Sequence, residues 1–329
     1  MALIEVNGLH KQFTVYKRGK GFGSFVKNMV NPNKQIVRAV DDIGFNIEKG
    51  EIVGFLGPNG AGKSTTIKMM SGILVPDSGS IKIDGIIPYK ERKRNSTRIG
   101  AVFGQRTQLW WNLPVSDSFN LLKTIYQVPN EVYKKNMALY AEILEVDKFL
   151  NTPVRQLSLG QRMRVEIAAS LLHNPDILYL DEPTIGLDTI AKERIRNFIA
   201  EINAHAKVTV ILTTHDMQDV KELCRRLIVI NHGKIIVDDA LDSVVDLYDN
   251  EATLEVRFAS AMQEMPAMQG MRLKKQDGQH CVIVFDKTKI SALDILHKLS
   301  EVSQIADFSL KSADIEDVIK QVYFQHPVA

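Results

Sequence analysis

The chain has 329 residues, 45% hydrophobic and 24% charged, with a formal net charge of +2. That length has room for two domains, or for one large domain with an appendage, each with a core of its own. The near-neutral balance speaks against a dedicated nucleic-acid binder, and the two distant cysteines, Cys224 and Cys281, form no metal-ligand pattern and read as reduced, buried apolar residues.

In chain order, Leu3–Val6 and Gly44–Glu48 read as strands, the second closed by Lys49-Gly50. Between them, residues 17–38 carry six basic side chains and no acidic one. Such a run is either a solvated loop or a patch for anionic headgroups, where each charge contributes about 1 kcal/mol. Phe22, Phe25, Val26 and Met29 fall at helical spacing within it. Glu51–Leu56 is a buried strand, and Thr65–Ser71 a helix closed by Gly72.

Further strands are expected at Ser80–Gly85, Arg98–Phe103, Ile177–Leu180 and Val208–Leu212, and a hairpin at 226–237 turning on His232-Gly233. Helical spacing spans 117–128, 131–150 and 161–172. Strands alternating with helices predict a parallel, helix-covered α/β sheet, with a helical subdomain inserted at about 105–175. After Asp239 the character changes. A linker at Leu241–Asn250 is expected to precede a small β-β-α-β-α domain, with strands at 252–258, 281–285 and 306–310 and helices at 290–302 and 315–322.

Between the buried strand and its helix stand Gly57, Pro58, Asn59, Gly60, Ala61, Gly62, Lys63, Ser64 and Thr65. Glycines there let backbone N–H groups turn inward around phosphate oxygens, and the helix N-terminus favours negative charge. Lys63 can reach the outer phosphates, and the Ser64 hydroxyl can ligate magnesium.

Downstream, four apolar residues lead into Asp181-Glu182, a strand tip with two carboxylates. The first suits magnesium, directly or through water. The second can polarise an attacking water, a role worth about 100- to 10,000-fold. His215 ends a neighbouring strand, where its ring N–H can meet charge developing on the outer phosphate. Gln105, at another strand end, carries an amide able to sense magnesium or the water. Ser158 is a good N-cap, and its helix presents a second set of free N–H donors.

Together these stretches resemble the ATP-binding cassette (ABC) family. Gly57–Thr65 is similar to the Walker A loop, Gln105 to the Q-loop glutamine, and Leu157–Gln161 to the signature. Ile177–Glu182 resembles Walker B with its catalytic glutamate, Gly186–Asp188 the D-loop, and His215 the switch histidine. The resemblance covers residues 1 to about 240, in the family's order. It implies a P-loop NTPase sheet with antiparallel β and helical subdomains, binding ATP and Mg2+ through Ser64, Gln105 and Asp181. It also implies a head-to-tail dimer, with itself or with a second cassette, in which Ser158, Leu159, Gly160 and Gln161 act in trans. Phe13 looks like the aromatic that stacks on adenine, although the family more often has tyrosine there and a core role is the alternative. Leu159 departs from the family pattern, which has glycine at that position.

One cassette, without coiled-coil or zinc insertions, is expected to serve a multi-span membrane permease carried on separate chains. Trp110 and Trp111 then suit the groove that receives the permease, with packing of the helical subdomain as the alternative. No apolar run approaches the roughly 20 residues of a membrane span, and no signal peptide is apparent. The expected location is the cytoplasmic face of the membrane, held through the permease. The motif set and the acidic-apolar ending Asp314–Val318 look most like the type-2 exporter branch. An importer subunit and a regulatory ATPase uncoupled from transport are the alternatives.

Overall fold

The computed structural model describes residues 2–16, 34–104, 107–248, 251–260, 266, 268–312 and 315–325. The chain divides into two compact units at Asp238/Asp239.

The first unit carries two sheets. An antiparallel sheet holds β1 (Ile4–Tyr16), β2 (Lys34–Ile47) and β4 (Ser78–Ile83) in the order β2-β1-β4. The second holds β3 (Ile52–Leu56), β5 (Ile99–Phe103), β6 (Ile177–Asp181), β7 (Thr209–Thr213), β8 (Arg226–Asn231) and β9 (Lys234–Ala240), in the order β5-β6-β7-β3-β8-β9. Its neighbours from β5 to β8 run parallel. Every residue of β3 and β7 is buried, as a parallel sheet covered on both faces requires.

Both sheets share one apolar core. Ile4, Val6, Phe45 and Ile81 meet Phe55 and the buried side of α1 (Lys63–Met70), with the Phe45 and Phe55 ring centroids 5.9 Å apart. The β8–β9 turn has His232 at φ 46° and Gly233 at φ 81°, the double positive φ that a tight hairpin needs.

Between β5 and β6 lie α3 (Val115–Ile125), α4 (Asn130–Leu144) and α5 (Leu159–Leu171). A short α2 (Arg92–Ser96) precedes β5. Tyr140 of α4 meets Phe198 of α6 (Thr189–Ala206) edge to face, 5.9 Å between ring centroids. Helix α7 (Met217–Leu223) follows β7.

The second unit contains α8 (Leu241–Tyr248), β10 (Glu251–Phe258), β11 (Met271–Asp277), β12 (His280–Asp286), α9 (Ala292–Val302), β13 (Ile305–Ser312) and α10 (Ile315–Gln325). Its antiparallel sheet has the order β11-β12-β10-β13. One face packs Leu254, Val256, Ile283 and Phe285 against Ile295 and Leu299 of α9.

Several expectations need correction. Strand β1 runs on to Tyr16, and β2 takes in residues 34–38 of the basic run, because the two strands keep pairing through register shifts. The short helix at 22–29 lies outside the described residues. The helix expected over 131–150 ends at Leu144, where Glu145 turns to φ 53°, and a single 3-10 turn follows. Residues 241–248 are not a linker but α8, whose Leu241 and Val244 are buried at helical spacing. The small domain has a fourth strand, β11, whose mainly exposed Arg272, Lys274 and Lys275 gave no apolar alternation to read. Among the described residues, no helix is long and apolar enough to cross a membrane.

Candidate functional site

The loop after β3 requires glycine at two places. A Cβ on Gly57 would stand 2.4 Å from the Ile230 carbonyl oxygen, and one on Gly62 2.3 Å from that of Ala39. Gly62 also sits at φ 112°, directly before α1. The loop is thus pressed against its own scaffold, and it leads into the first N–H groups of α1, which lack intrahelical acceptors. Lys63 is folded into it, its Nζ donating to the carbonyls of Gly57 at 2.5 Å and Pro58 at 3.1 Å. Burial pushes the Lys63 ammonium below its ordinary pKa, and the negative charges of Glu182 and Asp181 offset part of that.

Parallel register brings the remaining groups together. Asp181 is level with Phe103 on one side and with Thr213 on the other, so three strand tips end at one height. The Ser64 hydroxyl lies 3.1 Å from Asp181 Oδ2. A hydroxyl and a carboxylate side by side are hard oxygen donors, and magnesium typically takes few protein ligands beside phosphate and water. Ser64 and Asp181 therefore fit that ion.

Glu182 sits beyond the strand at φ 55°, an uncommon conformation outside glycine. Its own N–H donates to the Thr213 carbonyl at 2.9 Å, and its Oε2 lies 3.2 Å from Nδ1 of His215. Ser64, Phe103, Asp181, Glu182 and Ile185 line one cleft of about 340 Å³.

The signature residues lie elsewhere in the same unit. Ser158 caps α5 with a complete capping box: its Oγ accepts from Gln161 N–H at 3.2 Å, and Gln161 Oε1 accepts from Ser158 N–H at 2.8 Å. A Cβ on Gly160 would lie 3.3 Å from Cβ of Ala191, and Leu159 Cδ2 stands 3.0 Å from where Gly186 would carry one. Leu159 thus packs over the D-loop glycine. Asp188 caps α6, accepting from Ala191 N–H at 2.8 Å. Among the described residues, no hydrogen bond joins 158–161 to 57–65.

Gln105 lies outside the described residues. Phe13 stands on β1 opposite Val37, 38% exposed, with Lys11 Nζ 5.7 Å from its ring centroid. That exposure removes the core alternative for Phe13. Trp110 and Trp111 are 38% and 47% exposed, and the Arg162 guanidinium lies 5.7 Å from the Trp111 ring.

Sequence reasoning missed two supports. Thr213 donates its hydroxyl to Asp181 Oδ1 at 2.6 Å, so it steadies the carboxylate beside Ser64. Asp219, fully buried, accepts from Thr184 at 2.5 Å and Thr214 at 3.0 Å, and meets Arg196 Nη1 at 3.1 Å. It ties the segment after Glu182 to the residue before His215. A threonine ending a parallel strand beside the carboxylate strand was the available signal for Thr213. Nothing local marked Asp219.

Comparison with known proteins agrees with this geometry. The family model described as ABC transporter matches residues 40–185. The ABC transporter ATP-binding protein NatA of Bacillus subtilis is 34% identical over 225 residues, 68% of this chain and 90% of that protein. The Nod factor export ATP-binding protein I of Ralstonia nicotianae is 36% identical over 60% of this chain and 61% of its own length. The methionine import ATP-binding protein MetN 2 of Enterococcus faecalis is 32% identical over 77% of this chain and 68% of its own. A dimeric ATP-binding cassette solved in a post-hydrolysis state with ADP and Pi superposes with a TM-score of 0.60 at 28% identity, over 72% of this chain and 98% of that one. Strand tips that bring a phosphate loop, two carboxylates and a histidine together, in a chain so related to NatA, make this protein a member of the ABC transporter ATP-binding family, an ATPase.

Proposed function

We propose that the chain is the energy-supplying subunit of an exporter, hydrolysing ATP to drive a separate multi-span permease from the cytoplasmic face of the membrane. The observation that carries the ATPase half is the cluster of Ser64, Asp181, Glu182 and His215 beside the glycine loop. In this reading Gly57–Thr65 cradle the phosphates, and Ser64 and Asp181, steadied by Thr213, hold magnesium, joined by Gln105. Bound magnesium would supply charge neutralisation on the phosphate oxygens. Glu182 takes the proton of the attacking water, and His215, 3.2 Å away, orients Glu182 and meets the phosphate charge.

The signature of a second cassette, the same chain or a different one, closes over this site through Ser158–Gln161. Asp188, beside that helix start, belongs to the closing face. Phe13 stacks on adenine, a role its exposed ring supports. Residues 1–240 act as the nucleotide-binding domain, with 105–175 as its helical subdomain and 241–329 as an accessory domain. The exposed Trp110 and Trp111 receive the permease.

Export rather than import is favoured by the Nod factor export relative, whereas the MetN relative supports import as the second reading. Inside-out vesicles carrying the chain with its permease decide between them. Export loads the lumen when ATP is added outside, and import empties a preloaded lumen. For the site itself, Lys63→Ala is expected to abolish nucleotide binding in a fluorescent-nucleotide titration, and unchanged affinity would overturn the assignment.

A further inference from the structure

Among the described residues, the second unit's sheet ends in two edge strands, the charged β11 and the apolar β13. Strand β13 is bonded to β10 on one side, and among the described residues no strand lies on its other side. Exposed edges are normally kept short, bent or broken by proline. This one is eight residues long without proline, and its register against β10 is regular from Asp307 to Ser312, the only shift lying before Asp307.

The edge is also apolar where it should be covered. Phe308 and Leu310 stand opposite Val256 and Leu254, and so on the core face of the sheet. Val256 and Leu254 are 1% and 0% exposed, but Phe308 and Leu310 are 55% and 54% exposed. Leu293 of α9, 77% exposed, borders the same groove.

We propose that β13 pairs antiparallel with β13 of a second copy of this chain, joining two second units into one continuous sheet. The order of residues along the strand argues for a copy rather than another protein. Outward from Ser309 the strand reads as a chemical palindrome, with Phe308 and Leu310 apolar and Asp307 and Lys311 opposite in charge. A two-fold axis through Ser309 sets Phe308 against the partner's Leu310 and Asp307 against the partner's Lys311. The same axis repeats both contacts in reverse. The two charges lie on the polar face, where Lys311 Nζ is 2.8 Å from Glu255 and Asp307 is 3.9 Å from Arg257, so the new pairs extend an existing row. The contact is independent of the nucleotide site proposed above.

The test is sedimentation of the full chain in nucleotide-free buffer with chelator. The chain is expected to be dimeric there. Asp307→Lys and Lys311→Asp should each weaken the dimer roughly tenfold, by facing like charges across the axis twice. The double swap, Asp307→Lys with Lys311→Asp, should restore it. Mild oxidation of Ser309→Cys should cross-link the dimer, whereas Asp307→Cys should not, because only residue 309 faces its own copy. Both native cysteines are buried and stay silent. A monomeric wild type, a double swap no tighter than the singles, or equal cross-linking at 307 and 309 would each overturn the proposal, and failure of Lys63→Ala to affect nucleotide binding would leave it standing.

Discussion

The two units solve the same problem, how to finish a β-sheet, in opposite ways. The parallel sheet of the first unit is covered on both faces, and its loops gather where β5, β6 and β7 end level with one another. Near its carboxylate strand, several buried polar groups are paired through one shared partner, Asp219 serving Thr184, Thr214 and Arg196. The second unit's sheet is antiparallel, with one polar face and, among the described residues, no further strand beside either edge, and ion pairs of this unit lie on the surface. Chemistry needs side chains held still by a buried scaffold, whereas association needs an open surface.

That contrast can be broken at several points. The largest effect is expected at Glu182→Gln: hydrolysis should fall about 100- to 10,000-fold while nucleotide affinity stays near wild type. Phosphate release and nucleotide titration measure the two, and normal turnover would remove Glu182 as the base. Asp219→Ala comes next, because it takes one of two carboxylates from the buried Arg196 guanidinium, leaving Glu222, and strips Thr184 and Thr214 of their shared acceptor. Breaking such a pair costs about 3–5 kcal/mol, to be read from urea denaturation. If the midpoint barely moved, the hub would not be structural.

Ser158→Ala should cost about 1 kcal/mol as a lost N-cap. It should lower hydrolysis by more than that loss explains if the signature closes a partner's site. A fall in stability alone would make Ser158 only a cap.

A smaller effect follows from Asp216. Burial alone would raise its pKa, but hydrogen bonds from Lys192 and the Gln218 N–H outweigh that, so the folded value lies below 3.8. A depressed carboxylate contributes stability above its unfolded pKa and loses it as pH falls through the folded one. Asp216→Asn should therefore lower stability modestly at neutral pH and remove this carboxylate's share of the fall below about pH 4, so that the two profiles converge in acid. The smallest effect belongs to the second unit: Lys320→Ala, which breaks an exposed pair with Glu316, should leave the denaturation midpoint in place.

Residue order alone carried the phosphate loop, the two carboxylates, the signature helix and His215, because each is a short run whose chemistry depends on neighbours in sequence. A glycine before a helix, or a capping serine three residues from glutamine, is readable wherever it folds. Strand β11 and helix α8 were missed for the opposite reason. Arg272, Lys274 and Lys275 on an edge strand need no apolar alternation, and α8 is too short for its spacing to stand out. What only the tertiary structure decided is which side chains from distant segments meet. Thr213 reaches Asp181 across 32 positions, and Arg196 reaches Asp219 across 23. Parallel pairing and helix packing fix those meetings, and both depend on register between elements rather than on any pattern within one.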